Sequence, residues 1–256
     1  MQWVLFQRVM QKLVGIRELD PERDAPRYAE ELLARNPALF EALEGGASGP
    51  AAIVAAHEIA RDHVREVSLL PRLCDDLQRS VSTAALTAGE RLVRLMGLAY
   101  LTCGHDLIHD DLPAGYGLID DCIALHGAAM ATAALASPRY VAQQRQRIRY
   151  LSVAVTDELR EQLHAVLIRA AEVALVCEDL PDYAVELTIR DLIEAPPADL
   201  PMEFGLPRRS ASPKLIAALA LPNPRLIEAR GRSLHFRFSD GSQIHRGPGG
   251  VLETIT

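Results

Sequence analysis

Aromatic side chains are scarce in this 256-residue chain: they make up 5% of it, with a single Trp. Alanine and leucine are abundant instead, a mixture that favours close-packed helices over sheets, which draw on β-branched and aromatic residues. An excess of positive charge is also missing. The formal net charge is -7, which argues against general nucleic-acid binding, because that requires a basic surface to displace counterions from phosphates. Paired cysteines are lacking: Cys74, Cys103, Cys122 and Cys177 are scattered with no C-x-x-C among them, so reduced thiols in a cytoplasmic setting are expected. The apolar opening of the chain does not stand clear of charge. The opening MQWVLFQRVMQKLVGI is broken by Arg8 and Lys12 and followed by no small-residue cleavage site, which fits neither a signal peptide nor a spanning helix. An amphipathic helix lying on a partner or membrane surface is the minor alternative there. Finally, no G-x-S-x-G elbow, dinucleotide fingerprint or P-loop is present, which removes the common nucleophilic and nucleotide-dependent chemistries.

What is there reads as a string of helices. Hydrophobic residues at 49% and charged residues at 24% have the balance of a globular protein with a sizeable core. Asp20-Pro21 and Asn36-Pro37 each place a capping side chain before a proline at the first helical position, predicting helices near 21–35 and 37–44. The stretch from Glu44 to Pro50 is rich in glycine and marks a linker. The run from Pro50 to Leu70 has apolar residues at helical spacing, with Arg61, Asp62, Arg65 and Glu66 supplying its polar side. A further helix starts near Pro71. Thr87 and Glu90 have the capping-box spacing ahead of LVRLMGLAYL, predicting a helix over 88–103. Helices are also expected from Asp120, from Pro138 and from Asp157. Seven prolines between Ala195 and Pro224 exclude long regular elements, although KLIAALAL can make two helical turns. Beyond them, alternating residues around Asp240-Gly241 predict a β-hairpin with His235 and His245 on opposite arms.

The segment from Tyr100 to Cys122 stands apart. It holds Asp106, Asp110, Asp111, Asp120 and Asp121, together with Pro113 and the glycines 104, 115 and 117. Pro113 forbids continued helix, while Gly115 and Gly117 allow positive φ for a reversal. Asp120 and Asp121 suit the positive end of the following helix. Two apolar helices joined by a compact acidic turn should therefore run antiparallel. These residues resemble the YkvA-like domain of unknown function, in which a tyrosine-bearing apolar helix, a D-x-I-P-D-x-x-P-x-x-G-x-x-D-D loop and a second apolar helix follow one another. Tyr100, Asp106, Ile108, Asp110, Pro113, a following glycine, Asp120 and Asp121 fall on that pattern, within residues 88–130. The usual prolines are replaced at Gly104 and His109. The resemblance implies a bacterial helical hairpin, an association with membranes and no assigned catalytic activity.

Two chemistries compete with a purely structural turn. If the first helix ran on through the motif, His105 and His109 would share a face beside Cys103, Asp106 and Asp110, and His126 or Asp121 folding back would complete a site for a divalent metal such as zinc, manganese or iron. The bland reading has the aspartates bracing helix ends and the histidines bonding backbone. The sequence LIHDDLP also has the look of an aspartate-rich prenyltransferase motif, but Ala114 stands where its last aspartate belongs. A separate feature is the helix bearing Arg139, Arg145, Arg147 and Arg149, which could meet anionic lipid or a phosphate-rich partner, or be a solvated face paired to acidic neighbours. His57 and His63, six apart, read as ordinary boundary residues.

The expected architecture is mainly α: a helical bundle with a central antiparallel hairpin and a small C-terminal β-hairpin. Its parts are an N-terminal helical extension over 1–49, a helical core over 50–182 and a proline-rich segment with a β appendage over 183–256. The expected function is a non-enzymatic interaction or scaffold protein, cytoplasmic and peripheral at the inner membrane, meeting a protein partner or membrane surface with no resident cofactor. A divalent-metal module or enzyme using His105, Asp106, His109, Asp110 and Asp121 is the alternative.

Overall fold

The computed structural model describes residues 2–82, 86–102, 106–131, 138–177, 181, 211 and 213–255. The chain is mainly α and closes on an antiparallel four-stranded sheet. Among the described residues its α-helices are α1 (Gln2–Ile16), α2 (Pro21–Arg35), α3 (Pro50–Ser68), α4 (Leu70–Val81), α5 (Ala88–Tyr100), α6 (Ile119–Ala131), α7 (Pro138–Leu151), α8 (Asp157–Val176) and α9 (Pro213–Leu219). The prolines at 195–210 and the residues on either side of Gly104 lie outside the described residues. None of the described helices is long and apolar enough to cross a membrane.

Local chemistry accounts for the element ends. Asp20 accepts from the amides of Glu22 and Arg23 at 3.0 and 2.8 Å and starts α2, and Thr87 with Glu90 forms the expected reciprocal capping box at α5. On α4, Leu70, Cys74, Leu77 and Val81 are buried at the i, i+4, i+7, i+11 spacing of one helical face. The helix expected over 37–44 is cut to a 3-10 turn, Pro37–Phe40. Asn36 donates to Val153 O at 2.8 Å instead of capping, and Gly45 and Gly46 turn the chain with positive φ. Similarly, α5 stops at Tyr100 rather than 103, because the Thr102 amide and hydroxyl both bond back to Ala99 O and tighten the last turn.

The central hairpin packs closely. A Cβ on Gly97 of α5 would sit 2.8 Å from Ala128 Cβ on α6, so the two helices approach where only small residues fit. α1 lays Leu5, Val9, Leu13 and Ile16 into the same buried cluster that contains Tyr28, Ile59, Leu98, Ile123 and Phe236. Its outer face exposes Val4, Met10 and Val14.

The sheet is larger than the expected hairpin. Strands β1 (Pro224–Arg230), β2 (Ser233–Phe238), β3 (Gln243–Arg246) and β4 (Leu252–Ile255) form a meander in chain order. The turn at Asp240-Gly241 joins β2 to β3, with Gly241 at φ +84 and the Asp240 carboxylate accepting the Ser242 amide at 3.0 Å. His235 and His245 face each other in register, with ring centroids 6.4 Å apart. The opposite face buries Leu234, Phe236, Phe238 and Ile244 with Arg246.

Arg246 fastens the sheet to α3. Its guanidinium, 2% exposed, donates to Asp62 at 2.7 and 3.0 Å and to Glu58 at 2.9 Å. Tyr150 OH reaches Asp62 at 3.0 Å, and Arg232 reaches Glu58 at 3.0 Å. Burial alone would push the Glu58 carboxyl up, but the guanidiniums of Arg61, Arg232 and Arg246 hold it below its ordinary value. Asp62 is therefore not part of a solvated helix side, as its sequence neighbours suggest; a cation from the far end of the chain neutralises it. His63 is no boundary residue either. It is fully buried, accepting Tyr28 OH at Nδ1 (2.8 Å) and donating from Nε2 to Tyr150 O (3.1 Å). Burial drops its pKa to about 4, keeping it neutral.

Candidate functional site

The acidic turn is a corner between α5 and α6. After Pro113 the chain reverses through Ala114 at φ 59 and Gly115 at φ 79. The second left-handed residue is thus Ala114, not Gly117. Gly117 is required for another reason: a Cβ there would lie 2.3 Å from His109 O and 2.8 Å from Asp110 Cα, so this glycine lets two passes of the loop touch.

The aspartates divide by surroundings. Asp120 is fully buried in the first turn of α6. It accepts Tyr100 OH at 2.9 Å and the Ile108 amide at 3.1 Å, tying the end of α5, the loop and the start of α6 to one carboxylate. Burial pushes its pKa up, while the Ile108 amide and the Tyr100 hydroxyl pull it back. Asp121 is also fully buried, and neither of its oxygens has a donor. Burial first, then repulsion from Asp120 and Asp106, pushes its carboxyl far above the ordinary range, so it is held protonated. Asp110 pairs with Lys12 of α1, whose charge also lies near Asp106 and Asp121. The same surroundings suppress the thiols: burial and then Asp121 push Cys74 up to about 12, and the same two causes raise Cys122 well above its ordinary value. Neither thiol is a ready nucleophile.

Asp106 is partly exposed, and its carboxyl is pushed up to about 6 by burial and Asp120 against the pull of Lys12 and His109. A carboxyl with a raised folded pKa binds a proton more tightly in the native state, so its contribution to stability falls as pH climbs from about 4 to about 6 and is flat above. Thermal melts of the protein and of Asp106→Asn should therefore diverge across that window, the native protein losing stability relative to the variant. A constant gap from pH 4 to 7 would contradict this assignment.

The metal set fares differently residue by residue. The premise that α5 runs on through His105 and His109 fails, because the helix ends at Tyr100. Cys103 and His105 lie outside the described residues, and His109 is exposed. Among the described residues no three His, Cys, Asp or Glu side chains converge on one point able to hold a metal ion. His126 does not fold back to the corner. Its Nδ1 meets Gln144 Oε1 at 2.6 Å and its Nε2 stands 3.8 Å from Glu66, and burial lowers its pKa to about 4.

The four arginines of α7 do not share a face. Arg149, 6% exposed, donates to Asp240 at 2.6 Å and Ser242 at 2.5 Å and braces the β2–β3 turn. Arg145 is half-buried and donates to Ala217 O at 3.3 Å. Only Arg139 and Arg147 are exposed.

Comparison of the chain with protein-family models, with curated proteins and with solved structures produced no match.

Proposed function

We propose that this is a non-enzymatic interaction or scaffold protein, cytoplasmic and peripheral at the inner membrane, whose acidic turn is a rigid corner akin to that of the YkvA-like domain. The observation that carries the reading is Asp120, one enclosed carboxylate accepting from both the α5 tyrosine and the loop backbone. Groups so arranged hold a shape, and among the described residues the thiols beside them, Cys74 and Cys122, are buried and have little to offer a substrate. The exposed apolar residues Val4, Met10 and Val14 on α1 supply a face on which a partner or lipid surface can rest.

A divalent-metal module is the second reading. Its one support is Asp121, whose two oxygens have no donor, although the described residues bring no converging set of ligands to it.

One pair of variants separates the two. Asp120→Ala leaves the Tyr100 hydroxyl and the Ile108 amide unpaired in the core, and should cost about 2 kcal/mol after allowing for relief of the buried carboxylate. Asp120→Asn keeps an acceptor and should cost less than about 1 kcal/mol. Elemental analysis of untagged protein should find no stoichiometric metal. Full stability of Asp120→Ala would overturn the structural corner, and stoichiometric metal lost in Asp121→Asn would establish the second reading in its place.

A further inference from the structure

Away from the acidic corner, a cavity of about 40 Å³ lies between α3, α7 and the turn before β4, lined by Asp62, Arg65, Glu66, Arg147, Tyr150 and Gly250 among others. That volume holds roughly three water-sized spheres, on the order of one tetrahedral oxyanion.

The charges around it are unequally spent. Asp62 is already neutralised by the two contacts from Arg246 and the hydroxyl of Tyr150. Arg65 touches Asp62 only at 3.2 Å and keeps 48% of its side chain in solvent, so most of its fork is free. Arg147 is exposed and close enough to Glu66 to pull on that carboxyl, which burial pushes up and which Asp62 and Arg65 also face.

The wall opposite is backbone. Gly250 has φ +77, and a Cβ there would lie 3.0 Å from Asp62 Oδ1 and 3.5 Å from Arg65 Nη1, so the glycine turn seats directly on the charged cluster without a side chain to fill the space. Two arginines lining a cavity of this size supply the forked donors that a phosphate takes.

We infer that this cavity binds a phosphate group, free or as the monoester end of a small molecule, through Arg65 and Arg147, with Glu66 opposing it whenever that carboxyl is ionised. Glu66, which lines the cavity and also faces His126 Nε2 at 3.8 Å, then limits affinity, because its carboxylate repels a phosphate oxygen.

The test is titration calorimetry on the full chain with inorganic phosphate, glycerol phosphate and acetate at matched ionic strength. Saturable 1:1 binding of phosphate is expected, with acetate much weaker. Arg147→Gln should weaken it about tenfold, the loss of a charge-assisted contact. Glu66→Gln, equal in shape but uncharged, should tighten it about threefold. Glycerol phosphate binding at least as tightly would identify a monoester, whereas binding of inorganic phosphate alone would identify the free ion. Phosphate no better than acetate, or both variants equal to the parent while melting normally, would overturn the inference.

Discussion

Arg246→Ala should be the most damaging single substitution in the sheet, lowering stability by about 3–5 kcal/mol, because it strands Glu58 and Asp62 in the core without their main cation. The guanidinium is 2% exposed and meets both carboxylates, so water cannot stand in for it. The direction is fixed by the asymmetry of buried ion pairs: a complete pair contributes little relative to an apolar replacement, whereas half of one is a heavy penalty. A triple variant, Glu58→Gln with Asp62→Asn and Arg246→Met, removes the whole set and should recover most of the loss. Denaturant melts of the three proteins would decide it, and an Arg246→Ala protein within about 1 kcal/mol of the parent would mean that the clamp is slack.

Gly117→Ala should cost about 3 kcal/mol or more. The added methyl would meet His109 O at 2.3 Å and Asp110 Cα at 2.8 Å, both of them backbone, so no rotamer change relieves the clash and the loop itself must move. The nearby Gly115→Ala makes a useful comparison. There the close contact is Leu19 Cδ1 at 2.9 Å, the end of a flexible side chain, although φ of +79 still strains any other residue. Thermal melts should rank Gly117→Ala as the worse of the two. The reverse order would show that the two loop passes can part without consequence.

How far the fold could be read in the sequence depended on the distance between cause and effect along the chain. Thr87 and Glu90 lie three residues apart, and Asp20 caps amides two and three residues on, so their helix starts were visible. The Asp240-Gly241 reversal and the His235–His245 register follow from a turn only a few residues long. The reversal at Pro113 was equally local, though its positive φ falls on Ala114 and Gly115 where two glycines suggested otherwise. By contrast, Asp62 reads with Arg61, Arg65 and Glu66 as the wet side of an amphipathic helix, yet it is buried together with Glu58. Nothing near them in sequence announces that Arg246 will cover them from 184 and 188 residues away. His63 was missed for the same reason, since its partners Tyr28 and Tyr150 lie 35 and 87 residues off. In the candidate site, the crowding of aspartates was plain. The division of labour between Asp120, which ties three segments together, and Asp121, which faces no donor at all, comes from burial rather than from order along the chain.

The link between Glu58 and Arg246 also has a consequence in time. At synthesis rates of 5–20 residues per second, roughly 10–40 s separate the appearance of the two residues. Throughout that interval the nascent α3 has only its own Arg61 and Arg65, both partly in solvent, to face Glu58 and Asp62, and lacks the buried guanidinium that meets both carboxylates. Helices emerging from the ribosome can therefore associate only loosely around α3, and its sealing must wait for translation to reach the third strand of the sheet.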